Sequence, residues 1–184
     1  STPISPANAG LLLIYGTSVN DGESGSIVVE ELAVYSGGAV TLNNAANDVS
    51  KVAMKTLTGN VSLTDANGFT VDRVGTVEGI DADNGVVTLR AITGDITIAD
   101  SAAANDVEAS GWIQITLQGN DATFTVASSA AVTSTGDNVN IQADEMALEG
   151  TITVPANMEV RLLTYGSGDA LYLGGNPGQA NTLE

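Results

Sequence analysis

Gly59-Asn-Val61-Ser-Leu63, Gly85-Val-Val87-Thr-Leu89, Gly111-Trp-Ile113-Gln-Ile115 and Asp137-Asn-Val139-Asn-Ile141 are variants of one short word. Their first apolar residues, Val61, Val87, Ile113 and Val139, follow one another at a constant step of 26. A fixed period of this size marks a solenoid: one repeat cannot bury its own apolar face, and a core forms only when neighbours stack. The rest of the composition agrees. Apolar residues make up 43% of the chain but aromatics only 4%, so the core is built from Val, Ile, Leu and Ala rather than from large rings. Glycine and Asx residues often sit side by side (Asp21-Gly22, Asn67-Gly68, Asn84-Gly85), which predicts many short turns and an all-β chain.

Within the repeat, apolar and polar residues alternate as in a half-buried strand. A second strand is read in Phe69-Thr-Val71, Ile96-Thr-Ile98, Phe124-Thr-Val126 and Ile152-Thr-Val154, recurring at steps of 27, 28 and 28. A third, weaker position falls near Ile80, Val107 and Val132. Three short strands in about 26 residues fit one rung of a parallel β-helix. Alternation points Val61, Leu63 and their equivalents inward. It leaves Ser62, Thr88, Gln114 and Asn140 in one outward ladder, with Thr70, Thr97, Thr125 and Thr153 in another.

The flanks keep the word but shorten the beat, since Val40 precedes Val61 and Val160 follows Val139 by a step of only 21. Residues 1–37 are expected to form one or two irregular coils, residues 38–160 the regular ones, and 174–184 a loose tail with a vector-derived Leu183-Glu184 end. Asp48 to Leu57 has some helical character but reads better as loop and strand. Leu12-Leu-Ile-Tyr-Gly16 is echoed by Leu162-Leu-Thr-Tyr-Gly166, about six coils on. No linker divides the chain, so one domain is expected. The absence of an initial Met suggests an excised piece of a longer protein.

Asn43-Asn-Ala-Ala-Asn-Asp-Val49 followed by Leu57-Thr-Gly-Asn-Val-Ser-Leu-Thr-Asp-Ala-Asn-Gly68 resembles the repeats of large bacterial exoproteins of the filamentous-haemagglutinin type. Ala103-Ala-Asn-Asp-Val107 repeats part of the phrase, and the likeness extends over about residues 38–154. The resemblance implies a right-handed parallel β-helix, secretion across a Gram-negative outer membrane, and a role in adhesion or cell contact. The Asn-Pro-Asn-Gly word of the family's secretion domain is missing, and Asn176-Pro-Gly is a poor substitute. The segment therefore resembles the shaft rather than the export module.

Charge and missing residue types exclude several chemistries. With 22 acidic residues against five basic ones, the net charge is −17, so nothing can neutralise phosphates of nucleic acid or an anionic bilayer surface. The acidity suits solubility in a salty or extracellular setting, or divalent-cation binding. No stretch is long and apolar enough to span a membrane as a helix. No His and no Cys are present, which removes Ser-His-Asp and Cys-His nucleophiles and the usual zinc sites. A phosphate-cradling G-x-x-x-x-G-K-[ST] loop is also missing.

Parallel β-helices can host polysaccharide lyases and hydrolases, which work with clustered carboxylates. The candidates here are Asp81, Asp83, Asp95, Asp100, Asp106 and Glu108, against the alternative that Asx residues simply cap turns. Asp81-Ala-Asp83-Asn84-Gly85 is a fragment of a calcium loop without the distal bidentate Glu, and Asn20-Asp-Gly-Glu23 is weaker. Outward threonines raise ice binding as a further alternative, and Trp112 either stacks on a sugar or covers a hydrophobic edge. The sequence thus predicts a single parallel β-helix of six or seven coils, not an enzyme and without a resident cofactor. Its expected role is that of a rigid adhesive spacer on a bacterial surface. Its partners would be neighbouring repeats of the parent chain and a carbohydrate or protein on another cell.

Overall fold

The repeated word lies on one continuous face. In the computed structural model, which describes residues 10–22 and 24–166, seven parallel strands stack there in chain order. They are Val19–Asn20, Val40–Leu42, Val61–Asp65, Val87–Ala91, Ile113–Leu117, Val139–Gln142 and Val160–Leu163. Val19, Val40, Val61, Val87, Ile113, Val139 and Val160 are direct partners from strand to strand, so the spacings 21, 21, 26, 26, 26 and 21 are all whole turns of one coil. The protein is an all-β parallel β-solenoid of about seven turns, with no helix among the described residues.

The two coil lengths have a structural cause. In the lower coils the side opposite this face is one long run, made by Leu11–Gly16, Val28–Ser36 and Asp48–Thr56 in parallel register. Asp48–Thr56 then carries two strands at once. Lys51 and Val52 pair with Thr70 and Val71, while Met54 to Thr56 pair with Ile80 to Ala82. Above that fork the coil has three sides. One column runs through Phe69–Val71, Ile96–Ile98, Thr123–Val126 and Glu145–Leu148. The other runs through Ile80–Ala82, Val107–Ala109, Ala131–Ser134 and Thr151–Thr153. An extra corner lengthens the turns that lead from Val61 to Val87, Ile113 and Val139, and the last turn, to Val160, is short again.

At the fork the chain detours through an antiparallel hairpin, Arg73–Val74 with Val77–Glu78. Gly75, at φ 60°, is the first of its two turn residues, the place where a tight hairpin needs positive φ. Val74 and Val77 fold back over Ala33 and Ala53, which point out of the coil yet are fully buried. Alanine is small enough to let the hairpin lie against the sheet.

Inside, the aliphatic columns fill the tube: Val61, Leu63, Val87, Leu89, Ile113, Ile115, Val139 and Ile141 are essentially inaccessible, as are Ile96, Phe124, Val107 and Val132. Each branched side chain sits on its equivalent one rung below, and burial of this kind stabilises by about 1.5–3 kcal/mol per side chain.

Three expectations need correction. Of the expected irregular coils at 1–37, the described strands Leu11–Gly16, Val19–Asn20 and Val28–Ser36 stack in regular parallel register. Ile152 does not continue the Phe124 column. Met146 does, because Glu145–Leu148 and Thr151–Thr153 are separated by only a short turn and Ile152 falls on Val132. The echo between Leu12–Gly16 and Leu162–Gly166 is verbal, since Leu12 packs on the long face and Leu162 on the repeated one. Asp48 to Leu57 is strand through Thr56. The expected loose tail at 174–184 lies outside the described residues.

Candidate functional site

Strand alternation on the long face sets one outward column at successive rungs: Tyr15, Tyr35, Lys55, Asp81, Glu108 and Thr133. The hairpin lines this column with Thr76, Val77 and Glu78, and the loop carrying Ala103, Ala104 and Asn105, which links the same two strand columns one rung on, lines it further along. Together they enclose an open groove of about 580 Å³. Its floor changes character along its length. Tyr15 and Tyr35 lie at one end, with ring centres 6.2 Å apart and planes tilted by 41°. At the other end the groups are charged but internally matched. Lys55 donates to Asp81, Asn105 Nδ2 donates to Glu108 at 3.0 Å, and Arg73 pairs with Glu78 at 3.5 Å. The hydrogen bond to Asp81 raises the Lys55 ammonium above its ordinary value, against a smaller opposing effect of burial, so the lysine stays charged through neutral pH.

Of the carboxylates singled out in the sequence, the fold brings Asp81 and Glu108 together as direct neighbours and adds Glu78. The others go elsewhere. Asp106 is buried, and its carboxylate accepts from the Ser101 amide and hydroxyl, both at 2.6 Å, and from the Ala131 amide of the next coil at 2.8 Å. Asp95 accepts from Thr123 N at 2.8 Å, and Asp100 from Ala102 N at 3.2 Å, where the backbone turns left-handed at φ 69°.

A general rule emerges. Asx side chains bond the coil beside them: Asn60 takes Val86 N, Asn138 takes Glu159 N, Asn47 takes Ile27 N, and Asp65 takes Val49 N. Turn capping is the right chemistry, but much of it runs between rungs rather than within one turn. The buried positions of Asp65 and Asp106 are not visible in the sequence, because nothing in the repeat distinguishes an inward Asx from an outward one.

The carboxylates of the calcium-loop fragment each meet a protein partner. Asp81 is held by Lys55 on the sheet, whereas Asp83 accepts from Asn84 Nδ2 at 3.0 Å in the turn beyond it. Asn84 has φ 57°, a conformation Asn tolerates, which accounts for its presence there. Near Asn20, the Asp21 carboxylate accepts from Asn44 N and Asn47 Nδ2, and Glu23 lies outside the described residues. Among the described residues no three acidic side chains gather as a cation site. The melting temperature is therefore expected to be the same in millimolar calcium as in magnesium at equal ionic strength. A rise of several degrees specific to calcium would establish a site.

The threonine ladder comprises Thr70, Thr97 and Thr125, flanked by Lys51 and Ala147; Thr153 stacks on Thr133 in the other column. Trp112 sits at a corner of the repeated face, 36% exposed, and its carbonyl accepts from Val87 N. Comparison with family models, curated proteins and solved structures returns no match.

Proposed function

We propose that this chain is a length of rigid shaft from a large secreted or surface-anchored bacterial protein, acting in adhesion or cell contact rather than catalysis. The observation that supports this most directly is the unbroken in-register stack of seven strands on the repeated face, with coils tied to one another by Asx side chains, two of them buried. Such a stack resists bending because every rung is hydrogen-bonded to the next along the axis. Stability then accumulates from nearest-neighbour contacts, so the design extends without limit in length. The likeness of the repeat words to filamentous-haemagglutinin-type exoproteins agrees with this reading and points to the outer surface of a Gram-negative cell. Neighbouring repeats of the parent chain are the natural partners above and below.

The surface half of the proposal predicts that an antibody to this segment labels intact producing cells, and that deleting the segment reduces their attachment. Labelling that appears only after permeabilisation would sink it. A specific observation favours a second reading as well: carbohydrate binding, supported by the tyrosine-floored groove.

A further inference from the structure

We propose that the groove over Tyr15, Tyr35, Lys55, Asp81 and Glu108 binds an uncharged oligosaccharide laid parallel to the solenoid axis. This rests on the contact role proposed above and names its ligand class. The first argument is the aromatic pair. In a chain with four tyrosines, two stand side by side at equivalent outward positions of adjacent rungs, and Tyr15 is 64% exposed. Two neighbouring rings, one exposed and one half-buried, form a platform for the apolar faces of pyranose rings.

The second argument is spacing. Parallel strands repeat at about 4.8 Å, so the five rungs from Tyr15 to Glu108 present a side chain at intervals comparable with the rise per sugar of an extended chain. The hairpin and the loop at Ala103 to Asn105 link the same two strand columns on successive rungs, so the border they give the column runs along the solenoid axis.

The third argument is charge. Lys55 is matched by Asp81 and Arg73 by Glu78, leaving Glu108, bonded to the neutral Asn105 amide, as the surplus charge. The groove has planar carboxylate and amide groups able to accept from and donate to hydroxyls, but no unmatched cation for a uronate, sialate or sulfate. Anionic glycans are therefore disfavoured, and neutral hexose or N-acetylhexosamine chains fit.

The test uses the whole chain on an array of immobilised neutral hexose, N-acetylhexosamine, uronate and sialylated oligosaccharides, followed by titration of the best binder. Binding to a neutral class is expected. Tyr15→Ala and Tyr35→Ala should each weaken it about tenfold, consistent with the loss of one stacking ring. Tyr35→Phe, which keeps the ring, should retain most affinity, as should Trp112→Ala on another face. Tyr15 is exposed enough for its variant to fold even if Tyr35→Ala does not.

Binding confined to uronate or sialylated members, binding to none of the four classes, or binding lost in Trp112→Ala and unchanged in both tyrosine variants would each overturn the proposal. The shaft reading is judged separately by cell-surface labelling. A groove that binds no glycan leaves that labelling result unaffected, and the reverse also holds.

Discussion

Asp65→Ala is expected to destabilise the solenoid by about 3 kcal/mol, because one buried backbone donor and two part-buried ones lose their acceptor together. The Asp65 carboxylate is inaccessible to solvent. One oxygen accepts from Asn67 N and Gly68 N and the other from Val49 N, all at 2.9 Å. It thereby fixes the left-handed Gly68 turn and clamps it to the coil below, at the level of the fork. Asp65→Asn should cost less, since its carbonyl can still serve the turn while its amide faces the Val49 donor. Denaturant unfolding at neutral pH checks the order, and hydrogen exchange at Val49, Asn67 and Gly68 shows whether the damage is local.

The same residue makes a pH prediction. Burial pushes the Asp65 carboxyl above the ordinary aspartate range, and the three backbone hydrogen bonds pull against it without cancelling it. A folded pKa above the unfolded one means the native chain binds this proton more tightly. The contribution is therefore fully present below the ordinary aspartate pKa and is lost as pH rises through the folded value. The stability gap between wild type and Asp65→Ala should widen on acidification from neutrality. Comparing the two proteins removes most of the effect of the other acidic residues. A gap that narrows would show the hydrogen bonds, not burial, to dominate.

Phe124→Ala is the second large effect, expected at about 3–5 kcal/mol. Phe124 is fully buried between Ile96 below and Met146 above, in the column that also holds Phe69. Rungs cannot collapse independently, because their spacing is set by backbone hydrogen bonds, so the void left by the ring persists. Met146→Ala, one rung nearer the end and only partly buried, should cost clearly less. In a solenoid each rung touches mainly its neighbours, so the Phe124 defect should open the upper coils before the lower ones. Fluorescence of Trp112, the only tryptophan, reports the upper coils, and exchange at Val34 and Val52 reports the lower. Simultaneous loss of both signals would show the stack to be more cooperative than nearest-neighbour coupling implies.

The anchors of the repeated face are legible in the sequence because alternation and period act on the same residues: a Val or Ile that must point inward also recurs once per turn. The weaker third position at Ile80, Val107 and Val132 is legible for the same reason. The hairpin at Arg73–Glu78 is not, since its two valines resemble any other strand residues and its purpose depends on Ala33 and Ala53 being beneath it. The shift of Ile152 by one column is hidden because a shortened loop moves a strand around the tube without changing its alternation.

The groove is hidden in plain spacing. Tyr15, Tyr35, Lys55, Asp81 and Glu108 follow one another at unequal steps, and they become a column only once the coil length is known to change at the fork. Sequence alone determined the class of object, because periodic burial is a local property repeated many times. Tertiary structure decided which coils have two sides and which three, which carboxylates face inward, and which five side chains share a groove. Those depend on where each turn ends, and a turn's length is fixed by the rung it must land on rather than by its own residues.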